Sequence, residues 1–253
     1  AVPLVILPDE PPTPPAPPEE QTVTFLEGWG VSDYADYLQK QGLVPADQFL
    51  KLAAALPDTK YPTLQLRPDR EKIEGYLFPD TYRIYKPTAS STPAETAEEI
   101  LGKLASTFEK KFGALLAGKT PQGLSAHEVL TLASIVERET GRGVRTDAGR
   151  AELQAEREVV AAIFLRRFKI GMALESDATV NYVTGKSDPA VSLKDTEVNS
   201  PYNTYRNAGL PPGPICNPSL SSVQAVMDAS ETPYLYFLHA QPSGEVVYSK
   251  TFD

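Results

Sequence analysis

Eight of the first eighteen residues are proline, out of 24 in a chain of 253. Proline lacks an amide proton and fixes φ, so the run DEPPTPPAPPEE can be neither a helix nor an interior strand. It reads as a stiff, extended connector. VPLVILP before it and TVTFLEG after it are strand-like. The simplest arrangement pairs them as a hairpin with a long proline-rich excursion. Downstream, prolines mark element boundaries. Ser32 is placed to cap a helix through about Gln41, with Gly42 in the left-handed position that ends it. Pro45 starts a second helix carrying Phe49, Leu50 and Ala53 on one side. That helix stops near Leu56-Pro57, and a linker with proline and arginine follows to about residue 70. Such a strand–helix–helix unit is too small to be stable without docking on something.

Charge and composition narrow the function. The formal charge is −9, which argues against nucleic acid as a partner, because phosphate neutralisation needs clustered Lys and Arg. The local basic cluster, Arg166, Arg167 and Lys169, falls at a helix end, where it complements the helix dipole. A single cysteine, Cys216, excludes an internal disulfide. With only His127 and His239 beside it, a zinc site of His and Cys is not expected, nor is any metal or cofactor. Chemistry, if present, rests on carboxylates. No apolar run approaches the ~18 residues that span a bilayer. The N-terminus lacks the basic flank and apolar length of a signal peptide.

Residues 66–253 alternate helical and strand periods, giving an α+β class. EGYLFPDTYRIY (74–85) reads as a short strand with a loop. Thr92 caps a helix to Lys111, with Pro93 in its first position and Glu95 in its opening turn. Helices are expected at 126–140 and 151–169. YLYFLHA and EVVYSKTF, separated by Gln241-Pro242-Ser243-Gly244, form a hairpin.

The helix at 126–140 carries the most chemistry. Ser125 and Glu128 form a capping box, and Gly141 ends the helix. Val129, Leu132, Ala133 and Val136 share a buried face. At ~100° per residue, Arg138 lies opposite that face and Glu137 beside Ala133 and Leu130, at the edge of the apolar stripe. A carboxylate there is desolvated and can hold a proton, as a general acid must. Glu139 falls on the other edge near Leu132 and reads almost as well. Either could instead be solvated or paired with Arg138, Arg142 or Arg145.

Five stretches in order, EGYLFPDTYRI (74–84), LASIVERET (132–140), IGMALESDATVNYV (170–183), SPYNTYRNAGLPPGPICNPS (200–219) and TPYLYFLHA (232–240), resemble the endolytic murein transglycosylase (YceG-like) family. TVTFLEGWGVSDYADYLQKQGL (22–43) resembles the LysM-like module that precedes its catalytic domain. The resemblance implies a LysM-like module over 1–65 and a catalytic domain over 66–253. It implies that Glu137, rather than Glu139, is the acid/base. It further implies that Asp177, Tyr202, Asn203, Thr204 and Tyr205 line the sugar groove. Asp177 can equally cap the helix that follows it. Tyr76, Tyr82 and Tyr182 are further stacking candidates, each with a core role as the alternative. Gly209 to Pro214 is a rigid turn, favoured as a groove wall, and Cys216 beyond it is expected to be an inert core residue.

The implied reaction cuts glycan strands of peptidoglycan between N-acetylmuramic acid and N-acetylglucosamine, with one carboxylate serving twice and 1,6-anhydro ends as product. The family also implies the outer face of the bacterial cytoplasmic membrane, through an N-terminal membrane helix whose segment is not in this sequence. Two departures stand out: Ala178 where the family has proline, and Glu175 where glutamine is common. The rival readings are a non-catalytic peptidoglycan-binding module, a hydrolase with Asp177 or Glu139 as base, and a scaffold recruiting cell-wall synthesis enzymes.

Overall fold

The strand-like TVTFLEG stretch finds a partner far downstream. In the computed structural model, residues 19–69, 72–88, 91–140, 146–186, 191–240 and 245–252 are described. Strand β1 (Glu20–Thr24) pairs antiparallel with β2 (Thr81–Tyr85), Val23 opposite Tyr82. Along β2 the side chains alternate, Tyr82 and Ile84 inward and their neighbours outward, as a half-buried strand requires. The VPLVILP segment, the proline run, Gly141, Arg142, Arg145 and the 241–244 turn lie outside the described residues.

Between the two strands lie α1 (Val31–Lys40) and α2 (Ala46–Ala54), followed by short 3-10 turns. The cap of α1 is Gly30 rather than Ser32, and the Asp33 carboxylate accepts from the Gly30 amide at 2.8 Å. Ser32 is displaced because Val31 is buried and must already be helical to reach the core. On α2, Phe49 and Ala53 point inward, four residues apart, while Leu50 is 38% exposed. The unit docks by three routes: β1 on β2, α2 against the long helix α3 (Pro93–Leu116), and Tyr34 and Phe49 in the common core.

Helix α3 opens with a reciprocal box, Thr92 capping the Glu95 amide and Glu95 returning to Thr92. It runs five residues beyond the sequence expectation because Phe112 and Leu116 continue its buried face. Helix α4 (Ala126–Thr140) begins with the expected Ser125–Glu128 box. Helix α5 (Asp147–Lys169) starts four residues early, capped by Thr146. Helices α6 (Asp177–Thr184) and α7 (Leu220–Asp228) and the hairpin β3 (Tyr236–His239) with β4 (Val246–Ser249) complete the chain. Among the described residues no helix is long and apolar enough to cross a membrane.

One difference matters most for the site. The wheel gives α4 one buried face, but Leu130, Thr131, Ser134 and Ile135 are buried as well as Val129, Leu132, Ala133 and Val136. A helix that is apolar all round is a central one. Helices α5, α6 and α7 all pack on α4.

Candidate active site

Two glutamates in the last turns of α4 occupy two unlike environments. Glu137 is 3% exposed. One carboxylate oxygen, Oε1, accepts from Arg157 Nη2 of α5 at 3.1 Å. The other, Oε2, accepts from the Ser219 amide at 3.0 Å, from the Ser222 hydroxyl at 2.7 Å and from the Ser219 hydroxyl. Ser219 is also the cap of α7, so this carboxylate sits at a helix N-terminus, where negative charge is favoured. Arg157 is itself buried, and its Nε has no hydrogen-bond acceptor among the described residues.

The loop carrying Glu27 closes over this pair. Gly28 takes a φ of +78°, and a Cβ there would meet Glu137 Cγ at 3.6 Å. Gly28 donates its amide to the Asn217 carbonyl at 3.1 Å, and its own carbonyl accepts from Arg138 at 3.3 Å. Burial pushes the Glu27 carboxyl above its usual range, the Glu137 charge adds to this, and Arg157 opposes it. Asn217, fully buried, staples three segments: its Oδ1 accepts from the Leu77 amide, and its Nδ2 donates to the Trp29 carbonyl and to Glu74.

Glu139, two residues on, is half-buried and faces the start of α6. The Ser176 hydroxyl donates to Glu139 Oε1. Burial pushes this carboxyl above the usual carboxylate range. The Ser176 hydroxyl pulls it back, the Asp177 charge pushes it up, and His239 and the Ala178 amide pull it down. Beside it, the Tyr205 hydroxyl donates to Asp177 Oδ1. Burial, then Asp177, raises the phenol of Tyr205 above its ordinary range.

The 203–205 segment is locked to α6 by hydroxyls. Thr204 Oγ1 accepts from the Ser176 amide at 3.0 Å and lies 2.8 Å from Thr179 Oγ1. Thr179 gives its one proton to the Ser176 carbonyl, so Thr204 donates to Thr179. Asn203 is fully buried. Its Nδ2 donates to the Thr196 and Val198 carbonyls, and its Oδ1 accepts from the Tyr205 amide. Asn203 and Thr204 therefore have their polar groups committed to holding the loop rather than facing outward. Tyr202 is also buried, its ring 5.0 Å from Tyr182.

The structure thus brings Glu139, Asp177 and Tyr205 together at one accessible edge, with Tyr205 36% and Tyr182 38% exposed. Tyr76 and Tyr82 are core, and Tyr76 donates to His127 Nδ1 while His127 Nε2 holds the Pro212 carbonyl of the 209–214 turn at 2.8 Å. Cys216 is buried with its thiol pushed up by burial. Arg166 and Arg167 do more than answer a helix dipole: Arg167, buried, donates to the Leu174 and Leu235 carbonyls at 2.7 Å, and Arg166 to the Thr232 carbonyl. Glu175, at a φ of +51°, pairs with Arg167 at 3.8 Å. The sequence reading missed Arg157, Ser219, Ser222 and Asn217. Only Ser219 carried a local signal, as a serine directly before a helical run.

A family model described as YceG-like family matches residues 12–253. A Bacillus subtilis (strain 168) protein named endolytic murein transglycosylase is 35% identical over 224 residues, covering 87% of this chain and 57% of its own. A protein of the same name from Streptococcus pneumoniae serotype 2 is 31% identical, covering 90% of this chain and 39% of its own. The chain therefore spans about half the length of these relatives. The crystal structure of a YceG-like protein from Listeria monocytogenes superposes with a TM-score of 0.71 at 31% identity, over 91% of this chain and 73% of that one.

Proposed function

This chain belongs to the YceG-like family, and on that premise we propose that it cuts the glycan strands of peptidoglycan as an endolytic transglycosylase. The observation that carries the mechanism is the pairing of a half-buried carboxyl of raised affinity for protons, Glu139, with a second carboxylate, Asp177, anchored by Tyr205. A general acid must hold its proton near neutrality and present it to substrate. Burial raises the Glu139 carboxyl above the usual carboxylate range, and the residue is only half-buried. Glu137, where the resemblance places the acid, has donors on both oxygens, one of them a buried arginine, and almost no accessible surface. We therefore place the acid at Glu139, with Glu137 as the alternative.

In this scheme protonated Glu139 donates to the oxygen joining C1 of N-acetylmuramic acid to N-acetylglucosamine, and the C1–O bond breaks. Asp177 stabilises the oxocarbenium-like charge. The muramyl C6 hydroxyl attacks C1, and Glu139 recovers a proton from it, leaving a 1,6-anhydro end. No water is consumed. Intramolecular attack gains from proximity, up to about 7–11 kcal/mol in favourable cases. We further propose that residues 1–65 act as a LysM-like module that grips the strand and docks on the catalytic domain of 66–253. Work at the outer face of the cytoplasmic membrane, beside cell-wall synthesis enzymes, fits this reading.

The test is product analysis by mass spectrometry after incubation with intact peptidoglycan. The unchanged chain should release internal fragments with 1,6-anhydro ends, and Glu139→Gln should release none. Products one water heavier would mean a hydrolase. Loss of products in Glu137→Gln, with Glu139→Gln still active, would return the acid to Glu137. Co-sedimentation with the wall without any release would favour a binding module.

A further inference from the structure

The turn that leaves β1 crosses from the N-terminal strand–helix–helix unit onto the catalytic elements and is pinned there. The Gly28 amide donates to the Asn217 carbonyl at 3.1 Å. The Trp29 carbonyl accepts from the Asn217 amide at 2.9 Å and from Asn217 Nδ2 at 3.1 Å. Arg138 Nη1, on α4, donates to the Gly28 carbonyl at 3.3 Å. Just beyond, the Val31 amide donates to Glu74 at 3.1 Å. A loop that merely joined two bodies would leave these backbone groups to water.

The pinning sets the peptide between Glu27 and Gly28 against the last turns of α4. A Cβ at Gly28 would stand 3.6 Å from Glu137 Cγ and 3.9 Å from Arg138 Cδ, so this backbone is in van der Waals reach of the Glu137 side chain. Glu27 is the side chain next in line, and it is exposed. Neighbouring acids of the same unit are engaged: Glu19 with Lys86, Glu20 with Arg83 and Asp33 with the Gly30 amide. The Glu27 carboxylate makes no hydrogen bond or ion pair among the described residues. The Glu137 charge adds to burial in raising the Glu27 carboxyl, which fits their closeness. An ionised carboxylate offers acceptors only, and the hydroxyls and acetamido N–H groups of an amino-sugar polymer are matching donors.

We infer that Glu27 is a substrate-binding residue of the catalytic groove, its carboxylate accepting a hydrogen bond from a sugar of the glycan strand as the strand passes the end of α4. The N-terminal unit then supplies one wall of the catalytic groove instead of gripping the strand at a distance. The inference rests on peptidoglycan as substrate. It holds for either Glu137 or Glu139 as the acid, since both stand in those last turns.

The experiment measures kcat, KM and Tm for fragment release by the unchanged chain, Glu27→Ala, Glu27→Gln and Asp36→Asn, the last removing an exposed charge elsewhere on the unit. A hydrogen bond to a charged group is worth about tenfold, and one formed on binding appears in KM. Glu27→Ala should raise KM about tenfold with kcat within about twofold. Glu27→Gln, which keeps a neutral acceptor, should fall between, and Asp36→Asn should match the unchanged chain. No bond within the fold is lost, so Tm should stay within about 2 °C throughout. An unmoved KM in Glu27→Ala, or an equal rise in Asp36→Asn, would overturn the inference. If the unchanged chain releases no fragments, the reading of its activity fails, and binding alone then decides. Soluble N-acetylglucosamine oligomers, followed by NMR, should bind Glu27→Ala about tenfold more weakly than the unchanged chain. Equal Kd values, or no binding to the unchanged chain, would overturn the inference.

Discussion

Glu137→Gln separates burial from chemistry. The carboxylate it replaces accepts from Arg157 on one oxygen and from three donors of Ser219 and Ser222 on the other. Glutamine has the same shape but only one accepting oxygen. If that oxygen keeps the serine side, its NH₂ faces the Arg157 guanidinium, donor against donor, and a buried cation loses its counter-charge. If the amide flips, three donors meet an NH₂ instead. Breaking a buried pair by removing one partner costs about 3–5 kcal/mol. In a chain of this size 1 kcal/mol moves Tm by about 2–4 °C, so a fall of roughly 6–20 °C is expected. Glu139→Gln should change Tm much less, because Glu139 is half-buried and the Ser176 hydroxyl can still donate to the amide oxygen. Thermal unfolding by circular dichroism at neutral pH, with urea titration for the free energy, reads both. Should Glu137→Gln melt within about 2 °C of the unchanged chain yet release no fragments, Glu137 is the chemical group and the reasoning from its burial fails. The double variant Glu137→Met, Arg157→Met should lose less stability than the two single changes added together, since no charge is then left unpaired.

Two further outcomes follow from buried positions beside Asn217 and the 209–214 turn. Burial pushes the Glu74 carboxyl up from 4.5 to about 8, with the Asp33 charge adding and the Val31 and Gly75 amides opposing. A folded-state value raised above the unfolded one gives stability that is full below about 4.5 and lost as pH rises to about 8; Glu74→Gln should flatten that decline in Tm measured from pH 4.5 to 8, and an equal slope in both proteins would count against it. Gly75→Ala should destabilise the chain by several kcal/mol in urea titration, because Gly75 has a φ of +85° and a Cβ there would collide with the Pro214 ring. A near-unchanged midpoint would show that the 209–214 turn can move away from residue 75.

Local chemistry was legible in the sequence. The Thr92 cap, the Ser125–Glu128 box, the C-terminal hairpin and a helix opening at Asp177, although Ser176 rather than Asp177 is its cap, all rest on residues within a few positions of one another. What could not be read was long-range. The partners of Glu137 lie 20, 82 and 85 residues away, and no spacing rule links them to α4. The wheel also assumed one wet face, and α4 has hardly any, so an edge position did not imply access. Asn203 shows the same limit. Its residue type suits a sugar amide, but only the folded loop reveals that its donors and acceptor are taken internally.

The distant capping of Glu137 has a consequence for how the chain comes to be folded. A ribosome makes α4 and α5 well before Ser219, which stands 82 positions after Glu137. Until that serine emerges, the glutamate and Arg157 can pair, but water must fill the places of the amide and two hydroxyls. A nascent chain stopped short of Asn217 would also leave Trp29 and Leu77 without their shared tether. The midsection is thus finished only by its own tail. Any shortened version ending before residue 222 should emerge loosely packed and open to proteases, however complete its helices.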